Sequence, residues 1–381
     1  MRILNIAMNA PFTEGYSYQD NLLPEYQQKL GHSVTLVTGL SSRDEKGNAI
    51  KVIPCDKILN NGVRLIRLAT GNRINKILGY YPKILNLITE IQPDVIFIHG
   101  LCNLIPIQAI KYKNDHPKTI LVADNHQDKK NSLYNKFPFN LLFIIWKKGW
   151  NRWIKHFNHI YGTTSWRRDF AIELFGIPKA KADTLLLGVD VDNLSTDREY
   201  VRNQIRNKLD IPKDAFVFIH GGKMCSNKKT IEIIQAFSNN RDSNIRLILF
   251  GSVSDDIEEG FKNLIQLDRR IKYIGFIESK YVHKFYYASD FALFPGLHSV
   301  LWEEAIGCGL PGIFQTYSAN DHTNICGNSI SMSPDADVND IYDIINNILN
   351  STELYSEMKE NALKASRHLS YYEIAKKSIE E

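Results

Sequence analysis

Short apolar runs alternate with amphipathic segments along this chain, and the alternation breaks near residue 190 before it starts again. This pattern is typical of βαβ units built around a parallel sheet. A polar stretch at 192–199 follows the break. Because 381 residues suffice for two domains that each bury a core, the break predicts a domain boundary.

The expected elements follow the same order in both halves. In the first half we predict strands at 3–7, 33–38, 63–68, 95–98, 119–123 and 159–162, and helices at 18–30, 74–91 and 133–156. In the second half we predict strands at 216–220, 247–250, 271–274, 291–295 and 312–315, and a helix at 229–237. The predicted fold is α/β, with Rossmann-like domains at 1–190 and 191–365 that face a central cleft. Residues 366–381 are expected to form a helix that packs back towards the first domain.

The net charge of +4 is unevenly distributed between the halves. Residues 1–190 carry 25 Lys and Arg against 15 Asp and Glu, whereas the remainder carries 21 against 27. A basic first half indicates that this domain faces an anionic partner.

The cysteines and the apolar segments indicate the cellular compartment of the protein. The five cysteines are scattered and form no CxxC pair, so neither a disulfide framework nor a structural zinc site is expected. The first apolar run soon meets Asn9 and Pro11, which favours a strand over a signal peptide. The longest apolar stretch, 137–146, is far below the ~20 residues that cross a bilayer. We expect a cytoplasmic protein, or one peripheral on the inner face of the membrane.

Glycines and cations follow the first predicted strand of the second half. Gly222 and Lys223 come directly after it, and Lys228 lies just before the next helix. Glycine lets the backbone approach an anion, and a helix N-terminus adds N–H groups. The segment is therefore either a diphosphate site or a solvated basic loop, and it lacks the spacing of a P-loop.

A second candidate segment spans residues 294–311. A strand ends at Pro295, Ser299 is expected to cap a helix, and Glu304 lies about one turn in. Such a carboxylate can accept hydrogen bonds from sugar or ribose hydroxyls. Because Glu303 and Glu304 point in different directions, only one of them is expected to face a ligand. The alternative is that both are ordinary exposed helix residues.

Taken together, these segments resemble the nucleotide-binding domain of GT-B-fold glycosyltransferases, specifically the retaining family four of the group 1 type. The matching segments are, in order, Leu187-Gly188-Val189-Asp190, Gly222-Lys223-Met224 with Lys228-Lys229, Leu249-Phe250-Gly251, 271–276, Tyr287-Ala288-Ser289-Asp290, 304–311 and 369–375. The resemblance covers most of residues 187–376 in the family's order.

The first half is similar to the family at fewer positions. Pro11 to Gly15 lies where the family has a glycine-containing loop, and residues 31–37 and 93–99 resemble its Gly-His-x-Val and Pro-Asp-Val-x-x-x-His segments. His126 lies where a strand delivers the histidine that contacts the donor sugar and phosphate. The alternative for His126 is a capping or surface residue.

The resemblance implies roles for individual residues. Lys223 and Lys228 would bind the diphosphate, Glu304 would hold the ribose, and His126 with the Gly15 loop would complete the site. The remaining donor-binding residues are expected to be Gly222, Gly251, Phe276, His298, Ser299 and Val300. His126, Lys228 and Glu304 are the expected catalytic residues.

Three departures from the family pattern matter. The family has two glutamates separated by seven residues, but Gly296 stands where the first should be. His298 or the amides near Ser299 are candidates to replace it. Lys223 stands for an arginine, which keeps the charge but loses the bidentate fork, and Lys229 stands for a glycine.

Two short acidic patterns raise the question of a metal. Asp190-Val191-Asp192 and Asp335-Ala336-Asp337 fit the Asp-x-Asp pattern of metal-dependent glycosyltransferases, but such tripeptides are common by chance. No metal is expected, because the resemblance implies that lysines neutralise the leaving diphosphate.

A basic and aromatic segment runs from Trp146 to His156. Four cations interleave with three tryptophans there. On a helix this makes either a surface for an anionic membrane or a core helix with a solvated basic face. No nucleic-acid-binding motif accompanies it.

The prediction is a retaining, metal-independent glycosyltransferase for cell-surface polysaccharide or glycoconjugate synthesis, such as capsule or lipopolysaccharide. It would move a sugar from a UDP-sugar, or from a GDP-sugar, to a hydroxyl of a glycan or lipid-linked saccharide. Alternatives are a sugar-nucleotide epimerase of the same fold and a degenerate glycan-binding subunit. The sugar, the acceptor, the linkage and the oligomeric state stay open.

Overall fold

The computed structural model of the chain describes residues 1–44, 48–129, 131–317 and 322–380. Its contacts divide the chain into two compact units. Unit 1 comprises Met1–Leu187 and Tyr371–Glu381, and unit 2 comprises Gly188–Ser370. Among the described residues, every helix is too short or too polar to span a bilayer.

Unit 1 is built around an eight-stranded sheet of order β10-β9-β8-β7-β1-β2-β6-β5. Its strands are β1 Arg2–Ala7, β2 Ser33–Thr38, β5 Cys55–Ile58, β6 Arg64–Arg67, β7 Val95–His99, β8 Ile120–Asn125, β9 His159–Gly162 and β10 Ala182–Thr184, and β3 Ser41–Arg43 pairs with β4 Ala49–Lys51 in a separate hairpin. All neighbours in the large sheet are parallel except β5 and β6. Strands β7 and β8 are buried along their whole length, as expected of central parallel strands.

The helices of unit 1 cover this sheet. They are α1 Gln19–Lys29, α2 Arg73–Leu78, α3 Ile84–Ile91, α4 Ile105–Asp115, α5 Phe139–Trp153, α6 Ser165–Phe175 and α14 Tyr371–Lys377. The last of them contacts α1, where Tyr371 stacks on Tyr26 at 5.8 Å between ring centroids. Gln27 also donates a hydrogen bond of 2.9 Å to the hydroxyl of Ser378.

Unit 2 has a six-stranded parallel sheet of order β13-β12-β11-β14-β15-β16. Its strands are β11 Phe216–Met224, β12 Ile245–Val253, β13 Ile271–Tyr273, β14 Phe291–Phe294, β15 Gly312–Gln315 and β16 Ser329–Met332. Its helices are α7 Arg198–Lys208, α8 Thr230–Asn239, α9 Glu258–Leu267, α10 Ser279–Ala288, α11 Leu301–Gly307, α12 Val338–Asn350 and α13 Thr352–Ala365.

Two predicted helices of unit 1 have other bounds. The helix predicted at 74–91 is two helices, because Gly79 ends α2 with a φ of 68° and Pro82 has no N–H to continue it. The helix predicted at 133–156 begins only at Phe139, directly after Pro138.

Two of the three tryptophans of the 146–156 segment belong to the core, and Trp153 is partly buried. Trp146 and Trp150 are buried, and their indole N–H groups donate to the carbonyls of Leu78 and Leu101. Buried indoles need such acceptors. Of the two alternatives for this segment, the core helix holds for these two tryptophans. The exposed apolar side chains of α5 are Phe139, Leu141, Ile144 and Ile145.

Candidate functional site

Most of the predicted donor residues lie at one edge of the unit 2 sheet. Strands β11, β12, β14 and β15 are parallel, so their carboxyl ends point the same way. The segments that follow β11 and β14 carry Lys228, Gly296 and His298, and α11 carries Glu304. This is the edge at which open α/β sheets bind ligands.

Gly222 and Gly251 lie inside strands and not in loops. They are directly opposed in the pairing of β11 with β12, and both have positive φ, 99° and 106°. A Cβ atom on Gly251 would lie 2.7 Å from the carbonyl carbon of Gly222. The two glycines therefore allow strands predicted to end at His220 and Phe250 to continue to Met224 and Val253.

The three lysines of this edge have different surroundings. Lys223 is exposed, whereas the ammonium group of Lys229 donates a hydrogen bond to the carbonyl of Ala336. Lys228 donates to the carbonyls of Leu297 and His298, the latter at 3.0 Å. Burial lowers the pKa of Lys228 to about 8, although the charge of Glu303 acts in the opposite direction.

The backbone of Lys228 leaves no room for a side chain at Gly296. A Cβ atom there would lie 2.5 Å from the carbonyl carbon of Lys228 and 2.6 Å from the carbonyl oxygen of Asn227. The amide of Leu297 also donates to that Asn227 oxygen at 2.9 Å. The chain thus packs two backbone segments together at the position where the family has a glutamate side chain.

The prediction that Ser299 caps the following helix is wrong. Val300 is the N-cap residue of α11, has αR dihedrals and makes no side-chain cap. The Ser299 carbonyl instead accepts a hydrogen bond from the amide of Trp302 at 3.0 Å. Ser299 and Val300 therefore form a tight backbone turn into a short helix.

The fully buried carboxylate of α11 is Glu303, which the sequence did not single out as a site residue. Its Oε1 lies 2.7 Å from Nε2 of His298 and 2.7 Å from Nε2 of His322. Burial alone would raise the pKa of Glu303, but the two histidines outweigh it and lower the pKa to about 2. His298 and Glu303 stand five residues apart, but nothing in the sequence points to His322, which reaches them only through the fold.

Glu304, on α11, and Phe276, after β13, are two further predicted donor residues of unit 2. Glu304 is also buried. Burial of Tyr286 and Cys308 raises their pKa values, and the negative charge of Glu304 raises them further. Phe276 follows β13 with 74% of its surface exposed. An exposed phenylalanine beside the strand ends is available to stack on a planar ligand.

In unit 1 the predicted His126 belongs to a cluster at the carboxyl ends of β7 and β8. Its Nε2 lies 3.1 Å from Oδ2 of Asp124, and Nδ1 of His99 lies 3.0 Å from the same oxygen. Asp20, near the start of α1, lies 3.6 Å from that His99 nitrogen. Burial alone would raise the pKa of Asp124, but the two histidines hold it well below its usual range.

The Gly15 loop follows β1, and Gly15 itself is exposed. Gly15 has a φ of 80°, and a Cβ atom there would meet nothing within 4 Å among the described residues. The start of the loop is fixed by Arg67, which donates to the Phe12 carbonyl at 3.2 Å and lies 3.4 Å from Glu14.

Two groups of side chains are close enough to hold a metal ion, and neither includes an Asp-x-Asp pattern. Within the described ranges these groups are Asp20 with His99 and His126, and His298 with Glu303 and His322. Asp337 instead caps α12, accepting hydrogen bonds from the amides of Asn339 and Asp340.

Two family models match the chain, one in each half. Residues 201–365 match the family model of Glycosyl transferases group 1, and residues 21–193 match that of Glycosyltransferase Family 4. No curated protein sequence matches the chain.

Solved structures similar to the whole chain are numerous. HepE of Anabaena in complex with UDP has a TM-score of 0.72 and 15% identity, covering 99% of this chain and 98% of that one. Sucrose-phosphate synthase from Thermosynechococcus elongatus has a TM-score of 0.69, 17% identity and coverages of 99% and 96%. WaaG, a glycosyltransferase involved in lipopolysaccharide biosynthesis, has a TM-score of 0.67, 15% identity and coverages of 99% and 98%. At these identities the likeness concerns the fold, and it confirms the predicted α/β architecture with two parallel-sheet domains.

Proposed function

Because the chain is a group 1 glycosyltransferase of GT-B fold, we propose that it transfers a sugar from a nucleoside diphosphate with retention at the anomeric carbon. The favoured donor is a UDP-sugar, with a GDP-sugar as the second candidate. The acceptor is a hydroxyl of a glycan or lipid-linked saccharide in cell-surface polysaccharide or glycoconjugate synthesis, and no metal is required. The observation that carries the proposal is the half-buried Lys228, held by two backbone carbonyls at the carboxyl edge of the unit 2 sheet.

Lys228 is suited to a diphosphate because it is held in place before any ligand arrives. Two of its three N–H groups donate to backbone carbonyls, so its ammonium group keeps a fixed position with one donor left. A buried cation stabilises the negative charge that develops on a leaving phosphate more than a hydrated one does. Lys223, which is exposed, supplies a second and weaker charge.

The rest of the donor is assigned to neighbouring groups. Glu304 accepts hydrogen bonds from the ribose hydroxyls, and Phe276 borders the base. Gly222 and Gly251 keep the strand ends free of side chains. His298, Ser299 and Val300 line the same edge through the turn that precedes α11.

On the unit 1 side, we assign His126 and the Gly15 loop to the reacting sugar. Nε2 of His126 lies beside the carboxylate of Asp124, and we assign Nδ1 to the ligand. Among the described residues we assign no side chain as a nucleophile, so we infer that the acceptor attacks from the face that the leaving group vacates. Holding donor and acceptor together contributes to the rate enhancement.

A nucleotide screen tests this function directly. A ligand at about a hundred times its Kd stabilises a protein by about 2.7 kcal/mol, which is a shift of several degrees for a unit of this size. We expect UDP and one UDP-sugar to raise the melting temperature, and ADP to leave it unchanged. Transfer of the radiolabelled sugar to a membrane extract, with the product's anomeric configuration read by NMR, completes the test. A chain that binds no nucleoside diphosphate is not the proposed enzyme.

We also propose a peripheral contact with anionic membrane through α5. Ile144 and Ile145 are 51% and 45% exposed, and Lys147 and Lys148 follow them as exposed cations. An apolar surface bordered by lysines suits the headgroup region of an acidic bilayer. This surface differs from the sequence prediction, since exposed aliphatic residues take the place of the tryptophans.

Flotation with liposomes measures this contact. Each lysine near an anionic surface contributes about 1 kcal/mol, so the variant with Lys147→Ala and Lys148→Ala should partition about thirtyfold less. A control with the exposed Lys111 and Lys118 changed to alanine removes equal charge from unit 1 elsewhere. Equal flotation of both variants would contradict the contact at α5.

A further inference from the structure

A buried cluster of three side chains joins three segments of unit 2. His298 comes from the loop after β14, Glu303 from α11, and His322 from the segment after β15. Both imidazoles share one oxygen, Oε1 of Glu303, at 2.7 Å. The histidine side chains are 5% exposed and that of Glu303 is fully buried.

The second carboxylate oxygen of Glu303 is the unusual feature of this cluster. Oε2 is shielded from solvent and has no hydrogen-bond partner among the described residues. The carboxylate is ionised at neutral pH, since the two histidines lower the pKa of Glu303 to about 2 against the effect of burial. A buried ionised oxygen without a donor is costly, and such groups usually mark the place of a ligand or an ordered water.

The cluster lies beside the proposed diphosphate site. Lys228 donates to the carbonyl of His298, so the backbone that carries this imidazole also holds the lysine. The charge of Glu303 in turn acts on Lys228. The amide of His298 donates to the hydroxyl of Tyr317 at 2.9 Å, which fixes the turn from the other side.

Gly296 cannot provide the carboxylate that the family has at its position. The backbone of Asn227 and Lys228 occupies the space that its side chain would need. The helix after this loop instead carries a fully buried carboxylate, that of Glu303.

We propose that Glu303, held by His298 and His322, forms the subsite for the glycosyl group of the donor and accepts a hydrogen bond from one of its hydroxyls. This inference rests on the proposed function. Glu303 is then a specificity-determining residue, and the two histidines are positioning residues that act through it.

The chemistry of the subsite follows from the two carboxylate oxygens. Oε1 is saturated by two N–H donors, so it fixes the orientation of the carboxylate. Oε2 has no partner among the described residues and is left to accept from a sugar hydroxyl. A site built around a buried acceptor rejects a ligand that lacks the matching donor far more strongly than an apolar pocket would.

The experiment compares the affinities of UDP and of the UDP-sugar that gives the largest thermal shift, each by calorimetry. In Glu303→Gln the amide is expected to bind UDP within about twofold of wild type and to bind the UDP-sugar about tenfold more weakly, because a hydrogen bond to a charged group is lost. The variant His322→Gln retains an N–H donor towards Glu303 and should lose less than His322→Ala. Glu357→Gln, an exposed carboxylate of α13, is the matched control.

Each other outcome has a distinct meaning. Equal loss for UDP and UDP-sugar in Glu303→Gln, or in His322→Ala if the first variant does not fold, overturns the subsite and makes the cluster structural. One equivalent of metal retained by wild type and lost in Glu303→Gln, read by elemental analysis, overturns it in favour of a metal site. A wild-type chain that binds neither ligand refutes the proposed function itself.

Discussion

Replacing Gly296 with glutamate, which recreates the family's first glutamate, is expected to destroy donor binding and to lower stability. Any Cβ atom at this position meets the carbonyl carbon of Lys228 at 2.5 Å and the carbonyl oxygen of Asn227 at 2.6 Å. Because both obstacles are backbone atoms, a side-chain rotation cannot relieve the overlap. Overpacking costs about 1–3 kcal/mol in side-chain environments, and we expect a cost at or above the top of that range. The loop would move away and release Lys228.

Two alanine variants make the test specific. Gly296→Ala adds only the Cβ atom and should show most of the loss in melting temperature and in UDP affinity. Gly260→Ala, in α9, is the matched control, since its Cβ atom would meet only Ile231 at 3.7 Å. Alanine is favoured over glycine within a helix, so this control should be unchanged or slightly more stable. Wild-type affinity for UDP in Gly296→Glu would show that the two backbone segments are not packed as described.

Lys228→Ala is expected to remove donor binding. Truncating one member of a buried charge pair costs about 2–5 kcal/mol, which corresponds to a loss of a hundredfold or more in affinity for UDP. The variant also removes the hydrogen bonds to the carbonyls of Leu297 and His298. Calorimetry with UDP measures the effect.

Lys223→Ala is the matched control for Lys228. It removes the same charge from an exposed position of the same edge. An exposed pair contributes about 1 kcal/mol at most, so a loss of no more than about fivefold is expected. Similar losses in the two variants would show that burial does not distinguish the two lysines.

The same lysine gives the affinity a pH dependence. The pKa of Lys228 is lowered to about 8, so the ammonium form dominates below pH 8 and diminishes above it. Since only the ammonium form attracts phosphate, the affinity for UDP should fall as the pH rises through about 8. In Lys228→Arg the cation stays protonated, and this fall should disappear.

The fold was predictable because its central strands are short apolar runs bounded by polar residues. The predicted strands at 33–38, 159–162 and 312–315 have the observed bounds. The short strands β3, β4 and β5 were not predicted, because they have no buried apolar residue. Local apolar patterning gives no signal for such strands.

Residues of the candidate site could be predicted only where the spacing of neighbouring residues in the sequence pointed to them. Lys228 and the glycines stood out by their spacing, and the structure gathers Lys228, Gly296 and His298 at one edge. The partners of Glu303 could not be predicted, since His322 is brought to it by strand order and not by spacing. Ser299 is a residue that the local sequence predicts wrongly. Serine is a suitable N-cap residue, but the backbone turn makes Val300 the N-cap residue instead.

The placement of α14 has a consequence for the order in which the chain is assembled. Unit 2 is one uninterrupted segment, whereas unit 1 takes its last helix from the chain beyond Ser370. During synthesis the whole of unit 2 is made before Tyr371 can reach Tyr26, so α1 lacks this partner while residues 30–370 are added. Unit 1 can therefore be completed only after unit 2 has been synthesised, whereas domains generally fold N-terminal first.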